Sequence, residues 1–281
     1  MLRKILLTTI SLICITSASF ADNHSLDLDA DTILKQIINY TPAKLTIADI
    51  ELVKCPAGSF KMGSPSNESG AEQNEVQHEV IISKGFLISK YPITQSQYKK
   101  IMGINNSKYQ GDNNPVDSVS WTSAKEFCDR LNDKFGSNIP VGYKFDLPTE
   151  AQWEYACRAN TNTQLNSGKN LTIFEGICTN LDEVGWYKGN AAGKTHPVGC
   201  KKPNAWGIYD MHGNVYEWCR DSYSFYFFES VDPYNSDGEK RVARGGSKNS
   251  EPKDCRAAYR LCVKDGTYVD AGFRIVLENK Y

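Results

Sequence analysis

Two long stretches, residues 160–207 and 221–240, show neither helical nor strand periodicity, and this limits the fold more than any other feature. A compact domain tolerates long irregular loops where they carry function or are stapled down. From Glu51 onward turn residues are frequent, apolar runs are short and aromatic residues are spread throughout. Only three segments read as good helices. Thr94-x-x-Gln97 is a capping-box signature ahead of Tyr98, Ile101 and Met102. Ser120 or Thr122 caps a second helix, whose Ala124, Phe127, Cys128 and Leu131 form one buried stripe. Thr149-x-x-Gln152, behind Pro148, caps a third that carries Trp153, Tyr155 and Ala156. Short strands are predicted at 51–54, 80–82, 86–89, 241–243, 257–261 and 273–277. With no internal repeat and no low-complexity tract, the pattern predicts one loop-rich α+β domain over 51–281.

The start of the chain reads as a secretory signal. Met1-Leu2-Arg3-Lys4 is basic, residues 5–15 are almost continuously apolar, and Ser17-Ala18-Ser19-Phe20-Ala21 supplies the small residues of a cleavage site after Ala21. The apolar run is short for ~30 Å of hydrocarbon. Cys14 follows Leu12-Ile13, where lipoprotein processing needs a small residue. The expected location is therefore periplasmic or secreted, with no membrane span after cleavage. Residues 22–50 form an N-terminal extension. Asp31-Thr32 caps a short helix of Ile33, Leu34, Ile37 and Ile38, which ends near Tyr40 because Pro42 follows. With 32 basic against 33 acidic residues and no basic stripe, nothing suggests a nucleic-acid partner. Cys55, Cys128, Cys157, Cys178, Cys200, Cys219, Cys255 and Cys262 remain after Ala21. An even number in an exported chain predicts disulfides, and no Cys-x-x-Cys pair suggests zinc.

Ordered blocks then identify a family. Pro56-Ala57-Gly58-Ser59-Phe60 with Met62-Gly63-Ser64 opens the domain. Tyr91-Pro92-Ile93-Thr94, Pro115-Val116 with Val119-Ser120-Trp121, and Leu147-Pro148-Thr149-Glu150 precede the helices. Asn204-Ala205-Trp206-Gly207, Gly213-Asn214-Val215-Tyr216-Glu217-Trp218, Arg244-Gly245-Gly246-Ser247 and Gly272-Phe273-Arg274 complete the series. In order and spacing the chain resembles the sulfatase-modifying-factor, or formylglycine-generating-enzyme-like, domain. The resemblance implies a C-type-lectin-like scaffold, with a small twisted antiparallel sheet, flanking helices and long ordered loops. Independently of it, Glu150, Glu154 and Glu217 with Arg158, Arg244, Arg256, Arg260 and Arg274 read as partly buried ion pairs.

In the formylglycine-generating members, two cysteines after the Gly-Gly-Ser turn bind copper and oxidise a substrate cysteine to an aldehyde. Soft thiolates suit Cu(I). Here Ser250 stands where the resemblance places the first cysteine, and Cys255 is the nearest thiol. Copper is therefore not expected, and Cys255 reads as half of a disulfide. The resemblance places Cys157 in a bridge to the C-terminal sheet, with Cys255 or Cys262 as partner and Cys219 as competitor. It also implies calcium at Gly213, Val215 and Glu217, with Glu217 as an arginine partner the equal alternative. A second family calcium site near Asn190-Ala191 lacks its acid residue here. A three-histidine iron site, known in another branch, is not expected from the dispersed His24, His78, His196 and His212. His212 reads as structural or exposed.

Three functional readings follow. One is an exported ligand- or protein-binding module of the cell envelope, its binding face on loops 221–240 and 247–271 and its partner a small molecule or protein. The aromatic run Tyr223-Ser224-Phe225-Tyr226-Phe227-Phe228 reads either as part of that face or as core beside Trp218. Another is a periplasmic oxidoreductase, or a protein- or siderophore-modifying enzyme, with Ser247, Ser250, Arg244 and Arg256 lining a non-cysteine pocket. The third is a formylglycine-generating oxidase.

Overall fold

The computed structural model describes residues 44–225, 230–264 and 270–279. The signal segment, the predicted 31–40 helix and Tyr226, Phe227 and Phe228 lie outside the described residues.

Strand β1 (Lys44–Ile47) pairs antiparallel with β2 (Ile50–Cys55), and so lies ahead of position 51, where the domain was expected to begin. A hairpin of β3 (Gly58–Met62) and β4 (His78–Ile82) follows, then β5 (Phe86–Ser89). Helix α1 (Gln95–Met102) carries the predicted capping box: Thr94 Oγ1 accepts the Gln97 N–H and the Gln97 side chain accepts the Thr94 N–H. Helix α2 (Trp121–Phe135) is capped by Ser120, and Ala124, Phe127, Cys128 and Leu131 are all buried, as the stripe requires. After β6 (Tyr143–Asp146), helix α3 (Glu150–Arg158) has a second reciprocal box at Thr149 and Gln152. Eight of its nine residues are buried. It therefore runs through the centre of the molecule rather than across its surface.

The aperiodic stretch after α3 holds a small hairpin of β7 (Ile173–Phe174) and β8 (Ile177–Cys178), a one-turn helix α4 (Thr179–Asp182), and β9 (Gly185–Trp186). It builds its own core from Leu165, Cys178, Leu181, Val184, Tyr187 and Cys255. Strand β9 pairs in parallel with β10 (His212–Gly213). A four-stranded sheet then forms in the order β13-β12-β11-β14, from β11 (Tyr216–Ser222), β12 (Lys240–Arg244), β13 (Leu261–Lys264) and β14 (Ala271–Gly272). Its β11–β14 pair is parallel, so the sheets are not wholly antiparallel. Strand β15 (Val276–Asn279) returns to the first sheet between β5 and β6, giving β1-β2-β5-β15-β6.

Two predicted strands are shorter in the structure. Residues 257–260 are not a strand, because the carbonyls of Ala258 and Tyr259 accept from the Arg244 guanidinium. Residues 273–275 link the two sheets, and Arg274 turns inward to Glu217. At 258–259 a buried guanidinium thus takes carbonyls that a ladder would otherwise use. The main core lies between the first sheet and α1 and α2, and a second surrounds α3.

Candidate functional site

The Gly-Gly-Ser turn ends β12 and packs on the segment leading into β11. Gly213 N–H donates to the Gly245 carbonyl, and Lys248 N–H to the Asn214 carbonyl (3.0 Å). Gly246 sits at φ +78°, and a Cβ there would lie 2.5 Å from Cys255 Sγ. Both the backbone hand and the close approach therefore demand glycine. Beyond the turn, Ser250 Oγ accepts the Ser247 N–H (2.9 Å) and donates to Tyr216 Oη (2.9 Å). Ser247 Oγ lies 3.4 Å from Ser250 Oγ and accepts the Asn249 N–H. Lys248 is buried and pairs with Asp270 at 2.5 Å, while Asn249 Nδ2 donates to the other Asp270 oxygen. Its ammonium also lies 5.4 Å from the Tyr109 ring centroid. Burial pushes the Tyr216 hydroxyl far above its usual range, so it stays protonated. The result is a closed cluster of neutral hydroxyls beside one lysine–aspartate pair.

Ser247 and Ser250 come together. Arg244 and Arg256 do not line a pocket with them. Both are fully buried, and each is held by buried acids. Arg244 pairs with Glu154 and reaches Glu150 at 3.5 Å. Arg256 forks onto Glu75 at 2.8 and 2.9 Å and also binds Glu68 and Ser64 Oγ. They are structural cations that anchor the loops to α3 and to residues 64–75. Tyr216, Lys248, Asp270 and Tyr109 had not been singled out by sequence. Tyr216 stands one residue before Glu217 in a recognised block. Asp270 comes close only through the parallel β11–β14 pair, which spacing along the chain does not reveal.

Among the described residues, no disulfide joins the cysteines. All eight cysteines from Cys55 to Cys262 are free thiols, and none of Cys157, Cys219, Cys255 and Cys262 is paired. Cys55, Cys157 and Cys219 share the core around α3, and Cys178 and Cys255 share the small loop core, without a bond between them. Cys157 Sγ faces His212 Nε2 at 3.8 Å, Cys219 sits in the α3 core, Cys255 lies in the small loop core, and Cys262 stands on β13 opposite Val242. Burial raises the Cys157 thiol to about 12 and drives Cys219 and Cys255 well up. These are unreactive, hydrophobe-like thiols. His212 is structural. Its Nδ1 meets the Cys255 carbonyl at 2.7 Å, its Nε2 accepts the Asn166 N–H, and burial lowers it to about 4.

Neither implied metal suits its donors. Copper would need paired thiolates, whereas the cluster offers serine and tyrosine hydroxyls, and the nearby Cys255 is held protonated. Calcium would need the Glu217 carboxylate. Its Oε2 accepts from Arg274 Nε (2.5 Å) and Trp153 Nε1 (2.6 Å), and its Oε1 from Arg274 Nη2 (2.8 Å). That oxygen pair is already neutralised, so Glu217 is the arginine partner. Among the described residues, no three His, Cys, Asp or Glu side chains are grouped to hold a metal ion.

Comparison with known proteins settles the scaffold. The sulfatase-modifying factor enzyme 1-like domain family matches residues 41–279. The chain belongs to this family. A curated relative, the "Chaperone protein LppX" of Paenibacillus barcinonensis, is 30% identical over 84% of this chain and 92% of its own length. The solved structure of PvdO from Pseudomonas aeruginosa is 28% identical with a TM-score of 0.73, over 85% of this chain and 99% of that one. Treponema denticola variable protein 1 is 27% identical with a TM-score of 0.70, over 84% and 99%. Some other curated relatives are matched only in part. The chain spans 35% of a Chlamydia caviae serine/threonine-protein kinase and 50% of mouse formylglycine-generating enzyme.

Proposed function

We propose that this member of the family is an exported ligand- or protein-binding module of the cell envelope, without formylglycine-generating activity. The observation that carries this reading is the Ser247–Ser250–Tyr216 hydroxyl cluster. It fills the turn where the family resemblance calls for a redox thiol, and its three hydroxyls satisfy one another. Supporting it, Cys255 is sealed against Gly246 and stays a thiol. Of two relatives covered over 92% of their length, the more similar, at 30% against 25% identity, carries a chaperone name, which favours a protein-binding role. A rigid frame of buried ion pairs holding long loops suits binding, because the loops need not be ordered by the ligand.

The test is a Cu(I) titration of the purified protein, followed by an oxygen-dependent assay on a cysteine-containing peptide. No stoichiometric Cu(I) complex and no peptide aldehyde are expected. A one-to-one Cu(I) complex that is lost in Cys255→Ser, together with aldehyde formation, would overturn the reading.

A further inference from the structure

Away from the hydroxyl cluster, a cavity of about 540 Å³ opens where β6, β11 and β15 meet the starts of α2 and α3. At its base is Asp146, buried and ringed by cations. Lys125 Nζ contacts its Oδ1, while Lys144 Nζ (3.0 Å) and Arg220 Nη1 (3.3 Å) reach Oδ2. Glu278 shares Arg220 and accepts from Gln152 Nε2 (2.9 Å). Burial pushes the Asp146 carboxyl up, yet Lys125, Arg220 and Lys144 together hold it below the usual range. The lining also holds Asp232, which accepts hydrogen bonds from the Ser83 N–H and hydroxyl. Around Asp146 and Glu278, the three cations Lys125, Lys144 and Arg220 outnumber the two carboxylates. Arg220 Nε is buried with no acceptor, a cost that proteins rarely leave unmet. Trp121 and Tyr234 add aromatic surface, and the Arg220 guanidinium lies 4.7 Å from the Tyr234 ring centroid.

A fold stabilised by this cluster alone would bury two carboxylates with two partners. Here a third cation converges, a guanidinium N–H lacks an acceptor, and the space between is large enough for a small molecule. We propose that this cavity binds a small organic anion, its carboxylate or phosphate group received by Lys125, Lys144 and Arg220 and its body held beside Tyr234 and Trp121. The proposal rests on the binding-module reading and names a ligand class for it. The two fail separately, since the Cu(I) and peptide experiment does not touch this cavity.

Isothermal titration at fixed ionic strength, with acetate, benzoate and inorganic phosphate as probes, tests it. Saturable one-site binding of at least one probe is expected. Benzoate binding more tightly than acetate identifies an aromatic carboxylate, and binding of phosphate alone identifies a phosphate ligand. Lys144→Ala leaves Asp146 paired to Lys125 and Arg220, and should weaken binding roughly tenfold, the loss of one charge-assisted hydrogen bond. Lys100→Ala, whose partner Asp49 is exposed and which does not line the cavity, should leave affinity unchanged. No saturable binding of any probe, or equal affinity in Lys144→Ala and the parent protein, would overturn the proposal.

Discussion

At the scale of single residues, charge burial decides most of what can be said. Glu217 is 1% exposed, Arg274 is fully buried, and each is the other's bidentate partner. Trp153 donates to the same carboxylate, which ties α3 to both sheets. Removing Arg274 leaves a buried carboxylate with no counter-charge. Arg274→Ala should therefore lose ~3–5 kcal/mol in denaturant unfolding, and a chelator should leave the parent melting temperature unchanged. A calcium-dependent melting temperature would return Glu217 to a metal. The pairing was half legible in sequence. The acids and arginines announced themselves as more charge than a loop-rich core holds unpaired. Which arginine meets which acid was not legible, because Arg274 and Glu217 are brought together by sheet pairing over 57 positions.

At the scale of elements, helix starts were the most readable feature, because a capping box is a local event within four residues. The start of α3 also depends on a residue no local pattern reveals. Asp221, on β11, accepts the Glu150 N–H through Oδ2 (2.8 Å) and the Asn235 N–H through Oδ1 (3.1 Å). It thus pins the helix N-terminus to the loop after β11. Burial, then the neighbouring Glu150 carboxylate, raises Asp221 from 3.8 to about 7, against the pull of these two N–H groups and Arg220. In the fold Asp221 keeps its proton at pH values where the unfolded chain has released it. Its contribution to stability is therefore lost as pH rises from about 4 to about 7. The melting temperature of Asp221→Asn relative to the parent should shift upward between pH 5 and pH 8. A difference that stays constant with pH would show that Asp221 is ionised throughout.

At the scale of the whole molecule, compartment and thiol state are linked. We propose cleavage after Ala21 and export. Under that reading the N-terminal residue is Asp22, and thiol titration in denaturant counts eight cysteines, Cys14 having left with the leader. In native protein Cys200, the exposed thiol, should react first, with Cys262 slower and the six buried thiols protected. An intact Met1 with nine thiols would refute cleavage, and rapid reaction of more than two would refute the packing. No helix among the described residues is long and apolar enough to cross a membrane. The amino-acid sequence alone determined the family, the three helices and their caps, the central strands and the need for buried charge pairs, since each is written in adjacent or regularly spaced residues. Tertiary structure alone decided that Arg244 and Arg256 are anchors rather than pocket walls, that Glu217 belongs to Arg274, and that Cys157 and Cys219 share one core while Cys178 and Cys255 share another. It alone gathered Lys125, Lys144, Asp146, Arg220 and Glu278 around one cavity. All of these depend on strand order and on which face of each element turns inward. Spacing along the chain does not encode distances set by packing.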